Sequence, residues 1–336
     1  MAQVLVSDPT LRDGNHACGH SLTVDQISGY CHYADAAGVP IVEVGHGNGE
    51  GASSLQLGEA TTDAATTLRV ARAALKTSRL GIHIIPGFGT IERDLAPAID
   101  AGVDVVRVAS HVTEADICER HIRYARSRGV TTYGVLMMSH MASIPTLVDE
   151  ARKLLSYGAE GVIIMDSSGT YTPDQVRNRI HALCDLQAPI GFHGHGNLGL
   201  AIANSLAAHE AGARILDGTI RGFGAGAGNT QLEVLVAVLE RLGVPTGIDL
   251  YKVLDAADWA TKNLPAGPTI TSTSIVSGLS GVFSGFAKPV ERAARQYGVD
   301  PRDVFRELGR RRIVGGQEDL IVEVAAGLAA GRDAPK

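Results

Sequence analysis

The amino-acid sequence predicts an α/β protein, a closed (β/α)8 TIM barrel followed by a small helical C-terminal domain. Short β-branched runs alternate with helical stretches of roughly 10–15 residues as far as about residue 243, which is the pattern of parallel βαβ units. There are eight such runs, and they are largely apolar, as is typical of strands buried on both faces. No GxGxxG follows the first run, which favours a closed barrel over a doubly wound sheet.

The predicted elements follow from glycine positions and helix-start signals. The first strand is the run at residues 3–7. Five later strands each follow a glycine that suits the left-handed C′ position at the end of a helix. These five lie at 38–47, 102–110, 129–138, 158–166 and 212–220, and two further strands lie at 80–87 and 189–195. Thr23, with Gln26 three residues on, predicts a helix start, as does Thr172 followed by Pro173.

The character of the sequence changes at about Thr246. A helical pattern over 249–264 is followed by a stretch rich in Pro, Gly, Ser and Thr at 265–286. Two or three more helices are then predicted, at 291–298, 301–311 and 317–328. We therefore divide the chain into a catalytic TIM-barrel domain at 1–245 and a helical C-terminal domain at 246–336.

Length and composition exclude several classes of protein. The chain has 336 residues, of which 45% are hydrophobic, and a formal net charge of −6. Apart from three arginines at 310–312 there is no run of basic residues, so we expect no binding to nucleic acid. There is no apolar run of about 18 residues and no signal-like N-terminus, so we expect no membrane association and a cytoplasmic location. The four cysteines form no CxxC motif, which argues against a disulfide framework and a structural zinc site.

Catalytic groups of such a barrel lie at the C-terminal ends of its strands. The predicted first strand is followed by Asp8, Arg12 and Asp13. Other predicted strands end in Glu43 and His46, in Arg107 and His111, in Asp166, Ser167 and Ser168, and in His193 and His195. We expect the active site among these side chains.

The segment 193-HGH-195 predicts a metal site. Side chains at i and i+2 of a strand point to the same face, so both imidazoles face one way. In a closed barrel, strands 7 and 1 flank strand 8, which brings Asp13 to the mouth as a third ligand. An Asp–His–His set leaves coordination positions open and suits Mn²⁺ or Mg²⁺ at least as well as Zn²⁺. The alternative is that the two histidines merely line a polar strand end.

Several other groups receive a structural interpretation. Glu43 is expected to pair with a cation such as Arg12, and His83, inside strand 3, is interpreted as an ordinary buried or surface histidine. The glycine-rich run at 222–230 is more typical of a tight turn than of a phosphate loop, with Asn229 placed to face the barrel mouth. None of the six lysines falls on a predicted strand, so we exclude Schiff-base chemistry, and a keto acid would need a metal as its electron sink.

Seven motifs carry a resemblance to a known family. They are TLRDGNH (10–16), VEVGHG (42–47), VVRVASHVTEAD (105–116), MDSSG (165–169), GFHGHGNLGLAIANS (191–205), DGTIRGFGAGAGN (217–229) and ELGRRRIVGGQEDLI (307–321). Together they resemble 4-hydroxy-2-oxovalerate aldolases, class II pyruvate aldolases of a metal-dependent lyase superfamily built on a TIM barrel. The resemblance covers nearly the whole chain. It implies a divalent ion, Mn²⁺ or alternatively Mg²⁺, held by Asp13, His193 and His195.

The resemblance also implies roles for residues around the metal. His16 corresponds to the catalytic histidine and is expected to take the C4 hydroxyl proton of the substrate, directly or through a water. Arg12 and Ser167 match the residues that contact pyruvate, with Arg12 stabilising charge on the keto oxygen and Ser167 holding the carboxylate. We also expect substrate contacts from His193 and Phe283.

This chain departs from the family at Phe283, where the family usually has tyrosine on the aldehyde side of the site. Loss of that hydroxyl leaves open both the aldehyde and the stereochemistry at the carbinol carbon. Phe88, in the segment 84-IIPGFG-89, is expected to alter the shape of the same pocket. The aldehyde could be acetaldehyde or propanal from aromatic or steroid ring degradation, or a bulkier aldehyde of a biosynthetic pathway.

The implied reaction is the cleavage of a 4-hydroxy-2-oxo acid to pyruvate and an aldehyde, and its reverse. The resemblance further implies that the C-terminal domain completes the site and docks an acylating aldehyde dehydrogenase that receives the aldehyde through a channel. A homodimer or a heterotetramer is then expected. Two alternatives remain: a Claisen-type synthase of the same superfamily, which joins an acyl-CoA to a keto acid, and a non-catalytic scaffold for the dehydrogenase.

Overall fold

The centre of the molecule is a closed barrel of eight parallel strands, seen in a computed structural model that describes residues 3–333, with side chains as far as residue 331. The strands are β1 Leu5–Leu11, β2 Ile41–Val44, β3 Arg79–Ile84, β4 Val105–His111, β5 Thr131–Met137, β6 Gly161–Asp166, β7 Ile190–Gly194 and β8 Ile215–Asp217. Each strand pairs with its neighbours in sequence, and β8 pairs with β1 to close the barrel. The predicted fold class is confirmed.

Alternate residues of the strands fill the barrel interior. Its apolar part is a buried cluster made of Ile41, Val105, Ala109, Tyr133, Val135, Ile163, Met165 and Ile215. Two positions beyond Ile41, Val105 and Ile215, the same inward face carries Glu43, Arg107 and Asp217. On β2, β4 and β8 the interior therefore becomes charged toward the C-terminal ends of the strands.

Strand β1 is longer than predicted. The sequence analysis ended it at residue 7, whereas it runs to Leu11, and its pairing with β2 becomes irregular before that residue. Pro9 lies at the irregularity, and because proline has no N–H for the ladder it is tolerated in sheets at such bulges. Its carbonyl accepts hydrogen bonds from the backbone N–H groups of Arg12 and Asp13, at 3.1 and 2.8 Å. This turn places both side chains at the barrel mouth.

Helices surround the barrel and continue beyond it. In the described part of the chain they are α1 Gly14–Ala17, α2 Val24–Ala36, α3 Ala64–Ala74, α4 Ala96–Asp100, α5 Glu119–Ser127, α6 Ile144–Ser156, α7 Pro173–Cys184, α8 Ala201–Glu210, α9 Leu232–Arg241, α10 Leu250–Asn263, α11 Ser272–Leu279, α12 Ala287–Tyr297, α13 Pro301–Arg310 and α14 Asp319–Asp333. The predicted capping box of Thr23 and Gln26 is present at the start of α2. None of the helices that the structure describes combines the length and apolar character needed to cross a bilayer.

Helix α11 lies in the Pro/Gly/Ser/Thr-rich stretch where the sequence analysis placed no helix. The composition of the stretch did not indicate a helix, because serine and threonine have low helix propensity. The helix begins with a capping box in which the Thr271 hydroxyl accepts from the Ser274 N–H at 3.1 Å.

Besides the cluster inside the barrel, the described residues form two larger hydrophobic cores. The buried residues of α10, such as Val253 and Ala260, belong to the core of the barrel. A second core starts at Val282 and extends through Phe305 to Ala325. The domain boundary at 245/246 stays a prediction, and this packing favours a division after α10.

Candidate metal centre and active site

Asp13, His193 and His195 lie together at the C-terminal end of the barrel. Asp13 follows β1, His193 lies within β7 and His195 directly follows that strand. The Oδ2 atom of Asp13 is 3.0 Å from Nε2 of His193 and 3.8 Å from Nε2 of His195. All three side chains are buried, and each offers a ligand atom within 4.8 Å of the other two. Among the described residues this is the group of histidine, cysteine and acidic side chains arranged to hold a metal ion.

The donor set of this group fits a divalent cation. His193 Nδ1 hydrogen-bonds Asp217 at 2.8 Å, which leaves the buried Nε2 facing the Asp13 carboxylate, with Oδ2 at 3.0 Å. Asn229 Nδ2 donates to Asp13 Oδ2 at 2.8 Å and so orients that carboxylate. One carboxylate and two imidazoles, with an outer carboxylate behind one imidazole, are a common ligand set for divalent transition metals.

Burial and neighbouring charges shift the pKa values of the residues at the centre. Burial lowers the pKa of His193, but Asp13 and Asp217 outweigh burial and raise the pKa to about 9. Burial would raise the pKa of Asp13, yet the charges of Arg12 and the two histidines hold it well below its usual value. Burial lowers the pKa of His195 to about 3. A cation bound at this group would compete with a proton for His193.

A chain of buried charges runs from the metal ligands to Arg12. Arg107 donates two hydrogen bonds to Asp217, from Nη1 at 2.6 Å and Nη2 at 2.8 Å, while Asp217 contacts His193. On its other side, the Arg107 Nε atom lies 3.4 Å from Glu43 Oε2. The other oxygen of Glu43 accepts from Arg12 Nε at 2.5 Å, which confirms the predicted pairing of these two residues. Arg107 therefore lies between two carboxylates. One of them, Asp217, orients the candidate metal ligand His193, and the other, Glu43, orients Arg12.

Two of the three guanidinium nitrogens of Arg12 form hydrogen bonds that orient the side chain. Its Nη1 donates to the carbonyl oxygen of Gly47 at 3.2 Å, and its Nε binds Glu43. The third nitrogen, Nη2, is buried and has no hydrogen-bond partner among the described residues. A buried donor without a partner is costly, so this atom is suited to an oxygen of a bound ligand.

His16 lies at the mouth on α1, against Gly47. A Cβ atom built on Gly47 would come within 2.6 Å of the His16 ring, so only glycine leaves room for the imidazole at this position. His16 is partly exposed. Burial lowers its pKa to about 4 against the opposing charge of Asp13, and His46 and Arg12 each lower it by a smaller amount. The ring is therefore neutral at physiological pH and able to accept a proton.

Ser167 and Phe283 also line the site. The Ser167 hydroxyl accepts from the N–H of Met138 at 2.9 Å, and the Ser167 carbonyl accepts from the N–H of Ser284 at 2.9 Å. The segment around Phe283 is thereby bound to the barrel mouth although its side chains pack with the second core.

One small cavity brings most of the predicted site residues together. It has a volume of about 20 Å³, and Arg12, Asp13, His16, Ser167, His195 and Phe283 all line it. Phe283 also lines two larger cavities of about 370 and 280 Å³, and Phe88 lines the second of these. His193 is fully buried against Asp13, and its contact with substrate stays a prediction.

Other sequence-based interpretations have mixed outcomes. Asn229 reaches the mouth, as expected, through its bond to Asp13. His20 is buried beside the site, and its ring centroid is 3.7 Å from that of His46. The described lysines all lie outside the strands, and Lys336 is outside the described residues.

The sequence analysis missed the role of Asp217 and undervalued His83. Strand alternation was the available signal for both, because each lies two positions from an inward-facing residue. His83 lines the small cavity.

Two family models match the chain. The HMGL-like model matches residues 3–259, and the DmpG-like communication domain model matches residues 268–330. Solved structures support the fold. The N-terminal domain of a putative aldolase from Bacteroides vulgatus has a TM-score of 0.71 and 24% identity, covering 84% of this chain and 94% of that one. The carboxyl transferase domain of Rhizobium etli pyruvate carboxylase has a TM-score of 0.81 and 17% identity, covering 98% of this chain and 60% of that one.

Relatives of known name are similar over nearly the full length. The 4-hydroxy-2-oxovalerate aldolase of Spirochaeta aurantia is 66% identical, over 96% of this chain and 95% of the relative. That of Pectobacterium atrosepticum is 60% identical, over 97% of this chain and 96% of the relative. The resemblance stated from the motifs is confirmed, and a divalent metal is what the family implies for the centre described above. The chain belongs to the HMGL-like family and, within it, to the 4-hydroxy-2-oxovalerate aldolases.

Proposed function

We propose that the protein cleaves a 4-hydroxy-2-oxo acid of the 4-hydroxy-2-oxovalerate type to pyruvate and an aldehyde, and catalyses the reverse addition. The observation that carries the proposal is one buried cavity lined by two members of the metal-binding group, by the unpaired Arg12 Nη2 and by the neutral His16. The names of the relatives support the same reaction.

A divalent ion held by Asp13, His193 and His195 would polarise the 2-keto group and so stabilise the enolate that cleavage creates. Arg12 Nη2 donates a hydrogen bond to the keto oxygen, where negative charge grows. His16 accepts the proton of the C4 hydroxyl as the C3–C4 bond breaks, the aldehyde forms at C4 and the bonding electrons pass to the enolate. Ser167 holds the substrate carboxylate. A proton delivered to C3 then gives pyruvate.

Mn²⁺ is the ion we propose for the centre, with Mg²⁺ as the alternative. Two of the three ligands are imidazoles, and imidazole favours transition metals over Mg²⁺, which prefers all-oxygen coordination.

The partner we propose is an acylating aldehyde dehydrogenase bound to the C-terminal helices, in a heterotetramer. The match of residues 268–330 to a DmpG-like communication domain supports this. Ile275, Leu279 and Val322 are exposed apolar side chains on α11 and α14 that suit a protein interface. The cavity of about 280 Å³, lined by Phe88, Phe283 and Gly315, would lie on the path of the aldehyde.

The proposed reaction is tested by incubating the purified protein with Mn²⁺ and 4-hydroxy-2-oxovalerate. Pyruvate and acetaldehyde are measured separately, and they should form in equal amounts. A parallel assay with acetyl-CoA, a 2-keto acid and a thiol reagent should release no CoA. Release of CoA thiol without aldehyde would replace the aldolase by a Claisen-type synthase, and no product in either assay would favour the non-catalytic scaffold.

A further inference from the structure

His83 is a polar side chain in the barrel interior that the proposed mechanism does not use. It lies on β3, two residues before Ile85, and pairs in register with Arg107 on β4. Because side chains two apart share a face, His83 and Ile85 both face inward, and both line the cavity that contains Arg12 and Asp13.

The His83 ring is held by packing and not by hydrogen bonds. The residue is 1% exposed, and its Nδ1 atom is buried with no partner among the described residues. A Cβ atom on Gly49 would lie 3.2 Å from the ring, so the Gly49 backbone fixes the ring from one side. Neighbouring charged groups of the barrel interior do form side-chain hydrogen bonds, as in the pairs of Arg107 with Asp217 and of Glu43 with Arg12.

The surroundings of His83 keep its imidazole neutral. Burial lowers the pKa of His83 well below its usual value, and the positive charges of Arg12 and Arg107 lower it further against the opposing effect of Asp13. A neutral imidazole carries one N–H donor and one acceptor. Burying a polar group without a partner costs free energy. A ligand that supplies a hydrogen-bond partner to His83 would therefore gain binding energy from it.

We propose that His83 is a further substrate-contacting residue, whose imidazole donates a hydrogen bond to the C4 oxygen of the 4-hydroxy-2-oxo acid. This rests on the proposed function, in which the metal centre, Arg12 and Ser167 take the oxygens on C1 and C2.

We assign the hydrogen bond of His83 to the C4 oxygen because of where His83 lies in the barrel. The metal group and Arg12 come from β7 and the end of β1, and Ser167 comes from the end of β6, whereas His83 approaches from β3. Its neighbour Ile85 lines both the small cavity and the apolar cavity of about 280 Å³ beyond it. The donor would stabilise the negative charge that develops on the C4 oxygen as His16 removes its proton.

Stability distinguishes this role from a structural one. If His83 is kept for the substrate, replacement by leucine removes an unpaired buried polar group and should leave the melting temperature unchanged or raised. If His83 instead supports the fold, the same change should lower the melting temperature.

The test compares His83→Leu with His83→Asn, whose amide stands near the position of Nδ1. Three quantities are measured for each purified full-length variant with Mn²⁺: kcat and KM for cleavage of 4-hydroxy-2-oxovalerate, deuterium exchange at C3 of pyruvate without aldehyde, and Mn²⁺ affinity. For His83→Leu, kcat for cleavage should fall about 10²-fold. Its pyruvate exchange and Mn²⁺ affinity should stay within about twofold of wild type, because C4 is absent from pyruvate. The kcat of His83→Asn for cleavage should be at least tenfold higher than that of His83→Leu.

Other outcomes overturn the proposal. Unchanged cleavage by His83→Leu, or an equal loss of cleavage and of pyruvate exchange, would show that His83 does not act at C4. A failure of His83→Asn to exceed His83→Leu would do the same. If the wild-type protein is inactive in both cleavage and exchange, the proposed function is overturned, and the role of His83 with it. That outcome differs from one in which only the variants depart from expectation.

Discussion

Arg107 binds Asp217 through two hydrogen bonds of 2.6 and 2.8 Å, deep inside the barrel. The same carboxylate accepts from His193, so the orientation of this candidate metal ligand depends on a buried ion pair. Such outer-shell partners fix the ring and the tautomer of a ligating histidine.

Asp217→Asn should therefore weaken metal binding. We expect a loss of roughly 10- to 100-fold in Mn²⁺ affinity, because the neutral amide no longer holds His193 and leaves Glu43 as the remaining carboxylate beside Arg107. Titration with a competing chelator measures the affinity. Asp174→Asn, which changes an exposed carboxylate paired with Arg177, is the control and should bind Mn²⁺ as wild type does. Equal affinities for the two variants would contradict this role of Asp217.

Gly47→Ala should displace the His16 ring. The added methyl group would lie 2.6 Å from the ring, and a misplacement of about 1 Å at a catalytic group can lower turnover about 10²-fold. We expect kcat to fall by between about 10- and 100-fold while Mn²⁺ affinity is retained. Gly327→Ala is the control, since a Cβ atom there meets no other atom within 4 Å. A Gly47→Ala enzyme with wild-type kcat would mean that the position of His16 is unimportant.

Metal binding should release a proton from His193. Its pKa, raised to about 9 by Asp13 and Asp217 against the effect of burial, lies above neutral pH, so the apo protein is protonated there. Mn²⁺ affinity should then rise close to tenfold for each pH unit up to about pH 9, because the cation competes with that proton. Calorimetry at pH 6.5, 7.5 and 8.5, in buffers of different ionisation enthalpy, measures both affinity and proton release. An affinity independent of pH with no proton released would show that His193 is already neutral.

Glu50 should make the protein less stable as pH rises. It is 3% exposed and lines a cavity of about 180 Å³, and burial, with a smaller effect of Asp94, raises its pKa from 4.5 to about 7. A carboxyl group whose pKa is raised by folding favours the folded state below its unfolded pKa and loses that contribution as pH rises through the folded pKa. Between pH 5 and pH 8 the wild type should lose about 1–3 kcal/mol from this residue.

Glu50→Gln should remove that loss. Urea denaturation at pH 5 and pH 8 gives the free energy of unfolding, and the decline between the two should be smaller in the variant by about 1–3 kcal/mol. Glu59→Gln, an exposed position on the same loop, should keep the wild-type decline. Identical declines in all three proteins would place the Glu50 carboxylate in a better solvated state than the structure indicates.

Periodicity was sufficient to predict the barrel, because each strand is an apolar run and five of the strands follow a glycine at a helix end. Five of the glycines that were placed at helix ends have positive φ angles of 78, 91, 75, 107 and 117° at Gly38, Gly102, Gly129, Gly158 and Gly212. The end of β1 could not be predicted, because Pro9 is a strand breaker by composition and is accommodated only by a bulge against β2.

The site was predictable where chemistry is concentrated in short motifs. Asp13, His16, His193 and His195 fall in two segments, and strand order alone brings these segments together. The bond between Arg107 and Asp217 was not predictable in this way, since it joins β4 to β8 across the barrel interior. His83 was undervalued for a related reason: the absence of a hydrogen-bond partner for its Nδ1 becomes visible only when its neighbours are placed.

In the proposed mechanism, a metal ion on Asp13, His193 and His195 supports aldol chemistry with His16 as the base. The most direct measurement determines Mn²⁺ content and pyruvate release together, for wild type, Asp13→Ala and His16→Ala, after chelation, desalting and reloading with one equivalent of Mn²⁺. Asp13→Ala should lose both metal and activity, whereas His16→Ala should keep its metal and lose turnover by about 10²- to 10⁴-fold. Full pyruvate release by the chelated and desalted Asp13→Ala protein would contradict the account.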